Sequence, residues 1–109
     1  MNIELRTIPG CPHGASAGEL FARALKLEGL DAAALAVREI FADDDATALG
    51  FHGSPTFTID GKDLFPVDAE PAVTCRVYPT SAGLAGQPEL EALRGAIRAA
   101  LGVSPGKEA

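Results

Sequence analysis

The chain reads as one α/β domain, and three observations predict it. Segments with the two-residue period of strands alternate with segments of helical period, in the order strand, helix, strand, helix, strand, strand, helix. With 109 residues there is room for a single modest core. Apolar residues make up 47% of the chain, rich in Ala and Gly and without Trp, so small residues are expected at close packing contacts. The domain is expected over residues 1–102, with 103–109 as a frayed tail.

The first strand is Asn2 to Ile8, where Ile3 and Leu5 point to one face and Glu4 and Arg6 to the other. That alternation predicts one well-buried face. Leu20, Phe21, Ala24 and Leu25 then recur at helical spacing, giving a helix from Ala15 to about Glu28, with Gly29 as its cap. Ala32 to Ala36 favours helix by propensity, but Val37, Ile40 and Phe41 suit a pleated surface, so Leu35 to Phe41 is read as the second strand. Asp43, Asp44 and Asp45 are expected to supply an N-cap and negative charge for a short helix, Ala46 to Leu49, stopped by Gly50. Thr56 to Ile59 is the third strand, ended by the turn pair Asp60-Gly61. An uneven segment from Lys62 to Ala72 follows. Val73 to Tyr78 is read as the fourth strand and Pro79 to Gly86 as a loop. The last helix carries Pro88 near its first turn, Leu90, Leu93, Ile97 and Leu101 on one face, and Gly102 as its stop.

Composition excludes several functions. A net charge of −6 argues against nucleic acid or an anionic membrane as partner, because both require a basic face. No apolar run reaches the 18 residues of a membrane span. No basic-then-apolar leader precedes the first strand, so the cytoplasm is the expected compartment, where thiols stay mostly reduced. Two cysteines make no disulfide scaffold but allow one bridge or two separate thiols. The three aspartates lack further patterned ligands, so no metal site is predicted, and no cofactor is expected.

Chemistry concentrates in Pro9-Gly10-Cys11-Pro12-His13-Gly14, where a strand hands over to a helix. Unpaired N–H groups and the positive end of the helix dipole favour a thiolate there, and the thiolate is the nucleophile. Pro12 suits a first helical turn, having no N–H to leave unpaired. His13 is either a positive neighbour of the sulfur or an exposed bystander. A lone cysteine in a loop is also often a small buried hydrophobe, and that reading stands beside the reactive one.

The second informative stretch is Leu49-Gly50-Phe51-His52-Gly53-Ser54-Pro55-Thr56, running on to Ile59-Asp60-Gly61. Pro55 stands at the first position of a strand, where proline is tolerated. His52 is expected to contact backbone near the proline rather than a metal. Together with Gly10-Cys11-Pro12-His13, this stretch resembles the thioredoxin superfamily, closest to its small cytoplasmic thioredoxin-like and glutaredoxin-like members, over about residues 2 to 102. The resemblance implies a four-stranded mixed sheet in order 2-1-3-4, flanked by helices on both faces. It also implies a cis Ser54–Pro55 bond facing Cys11, and backbone hydrogen bonds from Ser54 to an extended substrate chain. The roles it implies are Cys11, Pro12 and His13 in catalysis and Ser54 and Pro55 in substrate binding.

The family places its second, resolving cysteine where this chain has Gly14. A mixed disulfide on Cys11 would then be resolved by an outside thiol or by Cys75. Cys75, three residues before the expected end of its strand, would lie roughly 10 Å from the active edge. A bridge requires Cα atoms within about 7 Å, so Cys75 is either a resolving thiol on a shifted strand or a buried strand residue. Three functions remain open. One is a monothiol thiol–disulfide oxidoreductase, whose partner is a low-molecular-weight thiol or a protein thiol or disulfide. Another is a non-catalytic binding module using Ser54 and Pro55, and the last is a soft-metal carrier or sensor using Cys11. Oligomeric state is not legible in the sequence.

Overall fold

The computed structural model describes residues 2–11, 13–66, 73–74 and 76–102. A four-stranded sheet is built from β1 (Ile3–Thr7), β2 (Leu35–Glu39), β3 (Thr56–Ile59) and β4 (Lys62–Asp63), in the order β2-β1-β3-β4. β2 runs parallel to β1, whereas β3 is antiparallel to both β1 and β4. The helices are α1 (Gly14–Leu27), α2 (Asp43–Leu49) and α3 (Leu90–Ala100). The expected mixed sheet and strand order are therefore present.

One face of the sheet carries the main core. Ile3 and Leu5 of β1 and Phe57 and Ile59 of β3 pack against Ala17, Phe21, Ala24 and Leu25 of α1, and against Leu93 and Ile97 of α3. The four α1 residues recur at positions i, i+4, i+7 and i+8, which is the stripe a helix lays on a sheet. Phe21 is fully buried and meets the ring of Phe57 edge-on, with centroids 5.2 Å apart. Arg94 and Arg98 of α3 reach back to Glu28 at the end of α1, which ties the two helices together. Hydrogen bonds from Arg98 and Arg94 hold the Glu28 carboxyl below the usual glutamate range.

The opposite face corrects the simple in–out reading of β1. Glu4 and Arg6 are buried, not solvated. Arg6 Nε donates to Glu4 Oε1 at 2.7 Å, and Arg38 Nε to Glu4 Oε2 at 3.2 Å. Thr58 Oγ1 donates to the Glu4 carbonyl at 2.8 Å, and Arg6 Nη1 reaches the carbonyl of Leu49 at the end of α2. α2 thus belongs to this second face. Burial works against the Glu4 charge, but the hydrogen bond and charge of Arg6, with Arg38, outweigh it and hold the carboxyl below its ordinary value.

Other boundaries move for physical reasons. α2 begins at Asp43 and its cap is Ala42, so the three aspartates occupy the first turn and act through the helix dipole, without a side-chain cap bond. Gly50 does end it, in the left-handed conformation. β2 stops at Glu39; Ile40 is buried, while Val37 and Phe41 are exposed at the sheet edge. The fourth strand is Lys62–Asp63, not Val73–Tyr78. Asp60 and Gly61 both have positive φ (53° and 80°), as a tight two-residue hairpin needs, so the chain folds straight back on β3. Tyr78–Thr80 instead pairs with Gly83–Ala85 as a separate hairpin, β5–β6, where a loop was expected. The expected tail, 103–109, lies outside the described residues.

Candidate functional site

β1 ends at Thr7, and the chain turns at once. The Cys11 N–H donates to the Ile8 carbonyl at 3.2 Å, with Pro9 and Gly10 between them and Gly10 at φ 75°. Proline followed by a glycine of positive φ is the pattern of a type II turn. A second turn follows, with the Gly14 N–H donating to the Cys11 carbonyl at 3.2 Å. α1 starts at Gly14 with His13 as its cap, so the thiol lies ahead of the helix rather than in its first turn. Pro12, expected in that first turn, precedes the helix and lies outside the described residues.

Cys11 is a free, half-buried thiol at a groove of about 750 Å3. The floor is made of small and apolar residues: Gly14, Gly18 and Ala22 of α1, with Leu35 and Val37 of β2. Leu35, Val37 and Glu39 pair in register with Ile3, Leu5 and Thr7, and alternate residues of a strand share a face. Gly14, Gly18 and Ala22 leave little of α1 over the end of that face, which stays open. His13 does not line the groove. A Cβ on Gly86 would lie 2.3 Å from its ring, so the imidazole rests on the Gly86 backbone. Ser16, on the first turn of α1, holds Gln87 at 2.7 Å, so the start of α1 is fastened to the segment before α3.

The register that pairs Arg6 with Thr56 brings Ser54 and Pro55 to the same end of the sheet as Thr7. The Ser54–Pro55 bond is cis, as expected. Its surroundings are a closed network. The Ser54 N–H donates to Thr74 O at 2.8 Å, and its carbonyl accepts from the Arg76 N–H at 2.9 Å. An extended ligand could therefore pair with Ser54 only by displacing Thr74 and Arg76. The Tyr78 hydroxyl donates to the Pro55 carbonyl. Burial pushes the Tyr78 phenol upward, keeping it a proton donor.

Arg76 is the residue that the sequence reading missed. It is 7% exposed, pairs with Asp63 at 2.8 Å, donates to the Phe65 carbonyl, and lies 4.7 Å from the centroid of the Tyr78 ring. Gly53 has φ 119°, and a Cβ there would come within 2.9 Å of the Arg76 Cβ, so this contact requires glycine. The one available signal was a lone cation inside an otherwise strand-like stretch. Ser54 Oγ and His52 Nδ1 are buried and find no hydrogen-bond partner among the described residues.

Cys75 lies outside the described residues. Among the described residues, no three His, Cys, Asp or Glu side chains cluster as a metal site requires, and no helix is long and apolar enough to cross a membrane. Compared with models of protein families, with curated proteins and with solved structures, the chain matches none. Fold and site define the class only as an α/β domain with a mixed sheet and a half-buried thiol at a groove.

Proposed function

We propose that this is a thioredoxin-like protein of monothiol type, in which Cys11 exchanges disulfides through the groove beside it. The observation that carries the reading is a half-buried thiol at the mouth of a groove of about 750 Å3, within the range of small-molecule sites. The Ser54–Pro55 corner at the same end of the sheet supports it. In the first step the Cys11 thiolate attacks one sulfur of a disulfide R–S–S–R. A Cys11–S–S–R bond forms, the old S–S bond breaks, and R–S⁻ leaves to take up a proton. Position 14, one turn on from Cys11, is glycine, so a second small thiol R′–SH completes the cycle: it attacks the mixed disulfide, forms R–S–S–R′ and restores the Cys11 thiolate. The partners are low-molecular-weight thiols or protein thiols.

Intact-mass spectrometry with the neutral reagent 2-hydroxyethyl disulfide tests this. The expected product is a single adduct that maps to Cys11, is released by added thiol and is lost in Cys11→Ser. Slow and equal modification of Cys11 and Cys75 would defeat the reading. A loss of two hydrogens with no adduct would make Cys75 the resolving thiol.

A further inference from the structure

The groove beside Cys11 has a one-signed rim. Among the described residues, its only charged lining residues are Glu19 of α1 and Glu39 of β2, and no Lys or Arg contributes to it. Both carboxylates are exposed, and neither takes part in an ion pair among the described residues. The cations nearest in the chain are accounted for. Arg38 points to the opposite sheet face, bound to Glu4, and Arg23, one turn beyond Glu19, does not line the groove. Glu39 is in register with Thr7, where the chain leaves β1 for the Cys11 turn, so one carboxylate flanks the approach to the sulfur. The lining beside the two carboxylates is small or apolar: Gly14 and Gly18 of α1, and Val37, which shares the face of β2 that carries Glu39.

From this geometry we infer the substrate class: Cys11 exchanges with small disulfides that carry an ammonium group on a short alkyl chain, and discriminates against carboxylate-bearing ones. The inference rests on the monothiol reading above. A ligand of this kind, bonded to Cys11, keeps its short alkyl chain on the small lining residues at the start of α1, Gly14 and Gly18, and brings its cation to Glu19 and Glu39. An anionic thiol places its charge against the same two carboxylates and against a chain of net charge −6. Electrostatic complementarity of this sort sets selectivity and encounter rate, and it weakens with salt.

Three disulfides of similar length separate the outcomes: cystamine (cationic), 2-hydroxyethyl disulfide (neutral) and 3,3′-dithiodipropionate (anionic). The rate of Cys11 adduct formation is read by intact mass. Each rate is divided by that of the same reagent with N-acetylcysteinamide, a neutral thiol, which removes differences in leaving-group reactivity. The normalised cationic-to-anionic ratio is expected to be about tenfold or more at low ionic strength and to shrink severalfold at 0.5 M salt. The Glu19→Gln/Glu39→Gln variant should bring it close to one; both positions are exposed, so folding is not at risk. A normalised ratio near one in the native protein, a reversed order, or a ratio unchanged in the double variant would overturn the inference while leaving monothiol exchange intact. If no reagent forms an adduct on Cys11, the monothiol reading fails and the substrate class fails with it.

Discussion

Two turns lie at the same end of the sheet and are held very differently. The Ser54–Pro55 corner is fixed from several sides: two backbone bonds to residues 74 and 76, the Tyr78 hydroxyl on the Pro55 carbonyl, and the Arg76 guanidinium spanning Asp63, Phe65 and the Tyr78 ring. Among the described residues, the Cys11 turn has two short-range backbone bonds and an open groove on one side. One corner is built as a platform, the other as an accessible edge. A thiol that must accept and release partners belongs on the second kind of support, while the first keeps its surroundings in place.

The largest effect should come from breaking the platform. Arg76→Ala leaves the Asp63 carboxylate, 13% exposed at its side chain, without its cation. Removing one partner of a buried pair costs about 3–5 kcal/mol, a large share of a typical stability of about 5–15 kcal/mol. Chemical denaturation of the variant measures it, and a midpoint like the native protein's would show that the platform is not held this way.

An intermediate effect is expected beneath both turns, at the Glu4 network of β1. The Glu4 carboxyl is held below its unfolded value, so the stability it adds is complete above the ordinary glutamate range, about pH 4.3, and is lost as pH falls through its folded value. The native protein should therefore lose stability more steeply below pH 4 than Glu4→Gln does. Parallel acid-side slopes in denaturation curves would remove Glu4 from the account.

The smallest effect should be at the accessible edge. Cys11 is half-buried and makes no hydrogen bond through its side chain among the described residues, so Cys11→Ser should shift stability by no more than about 0.5 kcal/mol while abolishing exchange. A cost of several kcal/mol in thermal melting would mark Cys11 as a core residue, the bland reading of a lone cysteine.

The same contrast explains what the sequence made legible. Periodicity exposed β1, α1 and α3, because Ile3, Leu5, Phe21, Leu25, Leu93 and Ile97 all face one continuous core. Asp60-Gly61 declared its turn, because positive φ at two successive positions favours such a pair, but the strand that follows it was not read. The far side of the sheet was not legible in this way. Glu4 and Arg6 alternate like solvent-facing residues, and only three-dimensional pairing reveals that they neutralise each other under cover. The fourth strand was misplaced because Lys62–Asp63 is too short to carry a pattern, whereas Val73 to Tyr78 reads as strand-like in sequence although its Thr74 and Arg76 clasp Ser54. Of the site, Cys11 and the cis-proline corner were readable from local motifs. Arg76, Glu19 and Glu39 were not, because what they do depends on neighbours distant in the chain.

The central claim is that Cys11 is an exchange nucleophile whose only missing part is a second thiol at position 14. Gly14 is the first residue of α1, one turn from Cys11, and a Cβ there would make an ordinary contact with Thr7 Cγ2 at 3.9 Å. The ends of such a turn lie within about 7 Å, the reach of a disulfide. Gly14→Cys is therefore expected to fold and, on treatment with 2-hydroxyethyl disulfide, to lose two hydrogens and expel the adduct that the native protein retains on Cys11. Intact mass reads both outcomes in one experiment. A Gly14→Cys protein that keeps the Cys11 adduct as long as the native protein, or never forms one, would contradict the account.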